Sequence, residues 1–338
     1  MTFLGLRLPV LLLFLVGFPL FWLAWIGFYA ISPGPPAARE QIVVVIPART
    51  SLSAIEKNLA EHKVIQDDRR FSMLAMLTGA ANKLRAGEYA FEPGNRPLAV
   101  IELLRKGKVL LRPVTIPEGT ELVKVASILA RGGWVEGDRF LHLANDPAFI
   151  QQVGVVAESL EGYLFPDTYY LSRGQQDGAD IIRMMVTNHQ QVFDHIMQEE
   201  TLSGAGLTPH QIITLASIVE KETGRPAERP LVARVFLNRL DRNMRLQADP
   251  TVRYATGKLA GTLTRRDLQE PSPYNTYYVK GLPPGPICNP GRAAILAVVQ
   301  PADAEYLYFV SKNDATHHFS KTLQEHNRAV ARYRQKKN

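Results

Sequence analysis

Cysteine is almost absent: Cys288 stands alone among 338 residues, so no intramolecular disulfide can form in any compartment. The fold must rest on a packed core, in which Cys288 itself is expected as a small buried apolar residue. Apolar content of 46% and charged content of 21% are ordinary for folded protein and give no reason to expect disorder. Whole classes of chemistry lack their marks. There is no G-x-x-x-x-G-K-[ST], no G-x-S-x-G, no H-E-x-x-H and no S-x-x-K, the usual signals of phosphate cradling, Ser-esterase, zinc-protease and Ser–Lys chemistry. His317, His318 and His326 have no carboxylate or thiolate at a fitting spacing, so a polar hairpin is expected there and no metal site. The net charge of +7 suits nucleic acid, anionic lipid or cell-wall polymer alike.

Charge is also missing from Leu8 to Ile31, a run of 24 residues. As a helix it would reach roughly 36 Å, enough to cross a hydrocarbon core of ~30 Å with some tilt. Trp22, Trp25 and Tyr29 lie near its far end, where amphipathic rings favour the lipid–water boundary. A cleaved signal peptide would have a shorter apolar region and a small-residue cleavage site, and Ile31-Ser32-Pro33 is a poor one. The run therefore predicts a retained single-pass anchor over 8–31 in the inner (plasma) membrane. Residues 1–7 form a cytoplasmic tail in this reading, and everything after residue 32 lies outside. Residues 32–40, with three prolines, read as a semi-rigid spacer lifting the next domain some 25–30 Å from the lipid.

Beyond the spacer, the pattern predicts the order β-α-α-β-α-β over 41–112, a small α+β module. Its first helix is expected to open on a capping box of Ser53 and Glu56. Val44-Val-Ile-Pro47 is echoed by Val114-Thr-Ile-Pro117, each ahead of a helical pattern, so a strand–turn–helix unit recurs. The remainder, 113–338, reads as mainly helical. Thr208-Pro-His-Gln211 is a capping box with Pro at the first helical position. A further helix is expected from about Arg229 to Leu240, a strand over Tyr306–Val310, and a basic amphipathic helix from Thr322.

What remains is carboxylate chemistry. On the helix from Thr208, Ile213 and Ala216 share the face of Glu220, and burial beside them would raise its carboxyl pKa. A protonated carboxyl near neutral pH is what glycosidic bond cleavage needs, because the departing oxygen must receive a proton. Glu222 lies about 200° further round the helix and is expected to face solvent. The residues alone leave two readings of Glu220 open, a structural ion pair and a poised acid. Two loops, Gln247–Tyr254 and Ser272–Tyr278, concentrate Tyr, Asn, Gln and Thr. Such residues suit sugars, and they also make tight turns.

Six motifs then carry a resemblance. Leu160-Glu-Gly-Tyr-Leu-Phe-Pro-Asp-Thr168, Ala216-Ser-Ile-Val-Glu-Lys-Glu-Thr223 and Val235-Phe-Leu-Asn-Arg-Leu240 come first. Met244-Arg-Leu-Gln-Ala-Asp-Pro-Thr-Val252, Tyr274-Asn-Thr-Tyr277 and Gly281-Leu-Pro-Pro-Gly285 follow. In this order they resemble the YceG-like endolytic murein transglycosylases over about 41–330. Trivial departures, such as Ala248 where the family often has Thr or Ser, touch no chemical group.

The resemblance implies a LysM-like module at 41–112 and a catalytic domain over 113–338 with lysozyme-like active-site elements. It implies Glu220 as the catalytic acid/base and substrate contact at Tyr274 and Asn275; with the two sugar-suited loops, the candidate substrate contacts are Gln247, Asp249, Tyr254, Tyr274, Asn275 and Thr276. The expected partners are peptidoglycan glycan strands, the inner membrane and peptidoglycan synthases, with no nucleic acid, cofactor or metal. The product is expected to be a 1,6-anhydro-MurNAc end. Two rivals are a lysozyme-type hydrolase with Asp249 or Glu222 as second carboxylate, and a non-catalytic wall-binding scaffold.

Overall fold

The computed structural model describes residues 7–35, 40–199, 206–258 and 261–334. Most of the expected cytoplasmic tail, and residues 36–39 of the expected spacer, lie outside them. The described chain is α+β, helical for the most part, with three two-stranded sheets. It divides into two compact units, one comprising residues 1–113 with 170–177, the other 114–169 with 178–338.

In the first unit, α1 (Arg7–Ile31) precedes β1 (Ile42–Ile46), α2 (Leu52–Glu61), α3 (Arg70–Leu77), β2 (Gly87–Phe91) and α4 (Pro97–Lys106). β1 and β2 pair antiparallel, Val44 opposite Tyr89. Alternation puts Val44, Ile46, Tyr89 and Phe91 on the buried face, where they meet Leu59, Phe71, Val100 and Leu104. α2 does not open as expected. Its N-cap is Ser51, whose hydroxyl accepts from Ala54. Glu56 reaches away from the cap to the Ser72 N–H and hydroxyl, at 3.2 and 2.6 Å, because Ser72 on α3 offers two donors within reach.

α1 changes the reading of the N-terminal run. Ile26, Tyr29 and Ala30 are buried in the core of this unit, and the Arg70 guanidinium sits 4.4 Å over the Tyr29 ring. The helix end is thus part of the module's core. Spacing of three to four residues brings these side chains onto one stripe, which packs on α3 and α4. Tyr29, expected at a lipid boundary, is 3% exposed. Among the described residues no helix is long and apolar enough to cross a membrane. Side chains of α1 are described only from Leu15 onward.

β3 (Arg112–Thr115) follows, and later pairs with β4 (Thr168–Leu171). Between them run α5 (Leu122–Arg131), α6 (Gly137–Ala144) and α7 (Pro147–Gln152). After β4 come α8 (Gly178–Glu199), α9 (Pro209–Glu222), α10 (Arg229–Asp241), α11 (Asp249–Thr256), α12 (Arg265–Leu268) and α13 (Arg292–Val299). β5 (Tyr308–Ser311), β6 (His317–Ser320) and α14 (Leu323–Arg334) complete the second unit.

α9 is its axis. The expected capping box is present, Thr208 and Gln211 each satisfying the other's backbone N–H, with Pro209 at the first position. Every residue from Ile212 to Val219 is buried, the mark of a helix enclosed on all sides. α10 and α13 flank it, contributing Val232, Phe236, Ile295 and Val298. His317 and His318 lie on β6 of an antiparallel hairpin, His318 opposite Val310. Cys288 is fully buried.

Candidate active site

α9 ends on two carboxyl groups, Glu220 and Glu222, and the next residue, Thr223, leaves helical geometry. Carboxylates are disfavoured at a helix C-terminus, where the dipole is negative. Each must therefore find compensation or stay protonated.

Glu220 finds compensation. Its side chain is 6% exposed and pairs with the equally buried Arg229 at 2.8 Å. The Gly291 N–H donates to the other carboxylate oxygen at 3.1 Å. Burial pushes its carboxyl above the ordinary value, while the Gly291 N–H and the Arg229 charge pull it down. Both oxygens are engaged, and Glu220 lines neither cavity described next.

Glu222, expected in solvent, is the group that faces open space. It is half-buried and lines two cavities, of about 360 and 390 Å³. Asp249 lines both as well. Burial, and then the Asp249 charge, push the Glu222 carboxyl up to about 8 against the opposing pull of Arg239. No hydrogen bond from a described residue offsets this. The helical wheel places Glu222 opposite Glu220 correctly. What it cannot show is that α11 packs on that face of α9.

Asp249 opens α11 and accepts the Tyr277 hydroxyl at 2.7 Å. Arg239, 8% exposed, is held by the carbonyls of Leu307 and Leu246, each at 2.7 Å. Arg239 and Tyr277 both fall within the sequence motifs, but nothing local in those motifs assigns either a place in the cleft. Gln247 is exposed and lines the larger of the two cavities. It adopts a left-handed φ of 51°, an uncommon conformation for a non-glycine residue, and thereby turns the chain into α11.

Tyr254 lines the smaller cavity with Glu222. Its ring lies 4.9 Å from that of Tyr274, and burial, reinforced by the nearby Glu161 charge, raises the pKa of its hydroxyl. Glu161 in turn accepts the Leu122 N–H on both oxygens, at 3.0 and 3.1 Å. Burial pushes its carboxyl up to about 8.

Asn275 and Thr276, expected to touch substrate, do not reach the surface at all: both are 0% exposed. Asn275 donates to the carbonyls of Leu268 and Glu270 and accepts the Tyr277 N–H. Thr276 accepts the Ala248 N–H at 3.0 Å and bonds the Thr251 hydroxyl at 2.8 Å. Thr276 thus stitches segment 272–278 to segment 247–254, while Asn275 fastens it to the turn after α12. They set the cleft wall from behind, which explains why such residues occur there without any sugar contact.

These features define an α+β protein with a polar cleft, lined by a helix-terminal carboxyl, a second carboxylate, tyrosines and a buried arginine. A family model for the YceG-like family matches residues 44–332. The endolytic murein transglycosylase of Bacillus subtilis is 32% identical over 92% of this chain and 90% of its own length. That of Streptococcus pneumoniae D39 is 28% identical over 88% of this chain, which spans 59% of that longer protein. The crystal structure of a yceG-like protein from Listeria monocytogenes superposes with a TM-score of 0.58 at 33% identity, covering 86% of this chain and 99% of that one. The chain belongs to the YceG-like family.

Proposed function

We propose that this protein is an endolytic murein transglycosylase, cleaving MurNAc–GlcNAc bonds of peptidoglycan strands, and that its acid/base is Glu222 rather than Glu220. Kinship with enzymes of that name supports the activity. The choice of residue rests on one observation. Glu222 is the helix-terminal carboxyl that meets open cleft with its pKa raised to about 8, whereas both oxygens of Glu220 are tied to Arg229 and Gly291.

A carboxyl group with that pKa is protonated at neutral pH and can deliver its proton to the departing glycosidic oxygen. The carboxylate left behind then accepts the proton of the MurNAc C6 hydroxyl as that oxygen attacks C1. The C1–O bond to GlcNAc breaks, and a 1,6-anhydro ring closes. An internal nucleophile has high effective molarity and needs no second enzymic carboxylate. In this reading Asp249 keeps Glu222 protonated through its charge, and Tyr277 fixes Asp249. Tyr254, Tyr274 and Gln247 supply cleft wall for the sugars, while Asn275 and Thr276 hold that wall in place. If Asp249 instead activated a water, the enzyme would be a hydrolase leaving reducing MurNAc ends.

The charge-free run over 8–31 supports a single-pass anchor in the inner membrane, with the N-terminus cytoplasmic and residues 113–338 as a periplasmic catalytic domain. The β-α-α-β-α-β segment at 41–112 is proposed as a LysM-like module, and peptidoglycan synthases as partners.

Digestion of purified peptidoglycan followed by mass spectrometry tests the assignment. The wild type should give anhydro-MurNAc products, and Glu222→Gln should lose about 10²–10⁴-fold in rate with an unchanged melting temperature at neutral pH or a higher one. Glu220→Gln removes the closer of two carboxylates on the buried Arg229, leaving Glu118 at 3.5 Å, so it should cost about 3 kcal/mol of stability and retain cleavage per folded molecule. A stable Glu220→Gln without activity, beside an active Glu222→Gln, would return the role to Glu220. Products with reducing MurNAc would sink the transglycosylase reading.

A further inference from the structure

A further cavity, of about 530 Å³, opens between α8, the start of α9 and the loop after α7. It shares no lining residue with the two cavities around Glu222. Four rings wall it: Tyr163, His189, Phe193 and His210. His189 and Phe193 are one helical turn apart on α8, with ring planes 9° apart. Tyr163 lies 5.1 Å from His189.

The two histidines differ in a way that points to a ligand. His210 is fully used: Nε2 donates to the Pro284 carbonyl at 2.8 Å, and Nδ1 accepts the Tyr163 hydroxyl at 2.6 Å. His189 is 4% exposed, and its Nε2 is buried without a hydrogen-bond partner. Burial lowers its pKa to about 4, so the ring is neutral. An unmet buried polar atom is costly, and this one belongs to a ring that walls an open cavity.

The rest of the lining narrows the chemistry. No Lys or Arg lines the cavity, and Asp194 is its one acidic residue, so a phosphate or carboxylate has nothing to bind. A purely apolar chain would leave His189 unmet. A neutral hydroxylated ring matches this lining, with C–H faces on the aromatic walls and hydroxyl or acetamido groups on Asp194, and a turn of the His189 ring would bring its buried Nε2 to the same groups. The volume is within the usual range of ligand pockets. Val156, 92% exposed at the mouth, extends the apolar wall into solvent.

The cavity also lies close to the cleft. Pro284, bonded to His210, precedes Gly285, where any Cβ would stand 3.2 Å from the Tyr274 hydroxyl and 3.8 Å from His210. Tyr274 packs on Tyr254 of the catalytic cleft. One loop therefore separates the two places, and glycine at 285 is what lets it pass.

We propose that this aromatic cavity is a remote glycan-binding site that takes an uncharged N-acetyl sugar of the same strand whose bond lies at Glu222. The inference rests on the proposed murein-cleaving function. A strand held at both places is gripped away from its ends, which is what endolytic cutting requires.

The test uses the full chain in detergent micelles, carrying Glu222→Gln, with a peptide-free GlcNAc–MurNAc octasaccharide as probe. Calorimetry reads affinity, and NMR reads the His189 imidazole and Tyr254 ring signals. The octasaccharide should move both sets of signals, and Phe193→Ala should weaken binding about tenfold. Val156→Glu, at a solvent-exposed position that cannot unfold the protein, should weaken it in the same direction. If Tyr254 responds while His189 is unmoved and both variants bind normally, the remote site is wrong and the catalytic cleft stands. If a free stem peptide moves His189 and the glycan does not, the ligand class is wrong. Failure of the glycan to bind anywhere would overturn this site and the proposed function together.

Discussion

Glu220 and Glu222 are separated by one lysine, yet their surroundings differ. Glu220 lies among buried groups that satisfy it, Arg229 and the Gly291 N–H. Glu222 lies beside a second acid, Asp249, in open cleft. The sign of its shift fixes two pH dependences. As a general acid Glu222 must carry its proton, so cleavage should fall as pH rises through about 8, read from initial rates across pH 6–10. For stability, a carboxyl whose folded pKa exceeds the unfolded value favours the folded state below the unfolded pKa, and this is lost as pH rises towards the folded pKa. Glu222→Gln removes the penalty. Its melting temperature relative to wild type should therefore climb between pH 5 and pH 8, by about 2 °C or more. Comparing the pair also cancels Glu161, whose carboxyl is raised similarly. A constant gap across that range would mean Glu222 titrates normally.

At the scale of elements, the helices with strong local signals are where the sequence places them. α4 begins at Pro97, α9 opens on its capping box, and α10 begins at Arg229. α2 misleads because two serines and a glutamate allow more than one cap, and Glu56 is drawn to α3. α5 shows a different solution. Its N-cap residue, Glu121, makes no side-chain cap bond. The Leu122 N–H is met by Glu161, 39 residues further along, in the motif that ends at Thr168. Because Glu161 also acts electrostatically on Tyr254, one side chain couples a helix start to the cleft wall. Glu161→Ala should cost about 1–2 kcal/mol and weaken glycan binding with it, measured by denaturant unfolding and by KM. Glu161→Gln keeps an acceptor for Leu122 and should recover most of the stability. Equal losses in both variants would mean the charge, and not the hydrogen bonds, matters there.

Across the whole molecule, the end of α1 is where the sequence reading and the folded chain part most clearly. Hydropathy treats residues 8–31 as one membrane span, whereas Ile26, Tyr29 and Ala30 are core of the first compact unit. One stretch thus serves two environments, and the residues that enter the module are subtracted from those available to lipid. Removing residues 1–31 should destabilise the first unit, because Ile26 and Tyr29 each lose burial worth about 1.5–3 kcal/mol. Removing only the residues before Phe18 should not. Limited proteolysis with mass spectrometry would show cleavage within 42–106 in the shorter chain alone. Equal resistance of the two chains would argue that α1 packs there without stabilising.

The sequence by itself determined the apolar N-terminal run, the β-α-α-β-α-β order and the capped start of α9. These follow from periodicity, capping and hydropathy, which act over a few residues. The six ordered motifs likewise point to the family without any structure. The contrasting surroundings of the two glutamates, the burial of Asn275 and Thr276, and the joining of α1 to the module were decided only by tertiary packing. So was the cavity around His189. Each depends on which distant segment covers a given face: α11 over the Glu222 side of α9, α3 and α4 against α1, and α8 beside the start of α9. A helical wheel gives the direction in which a side chain points, and only the folded chain decides whether water, an arginine or an open cleft is waiting there.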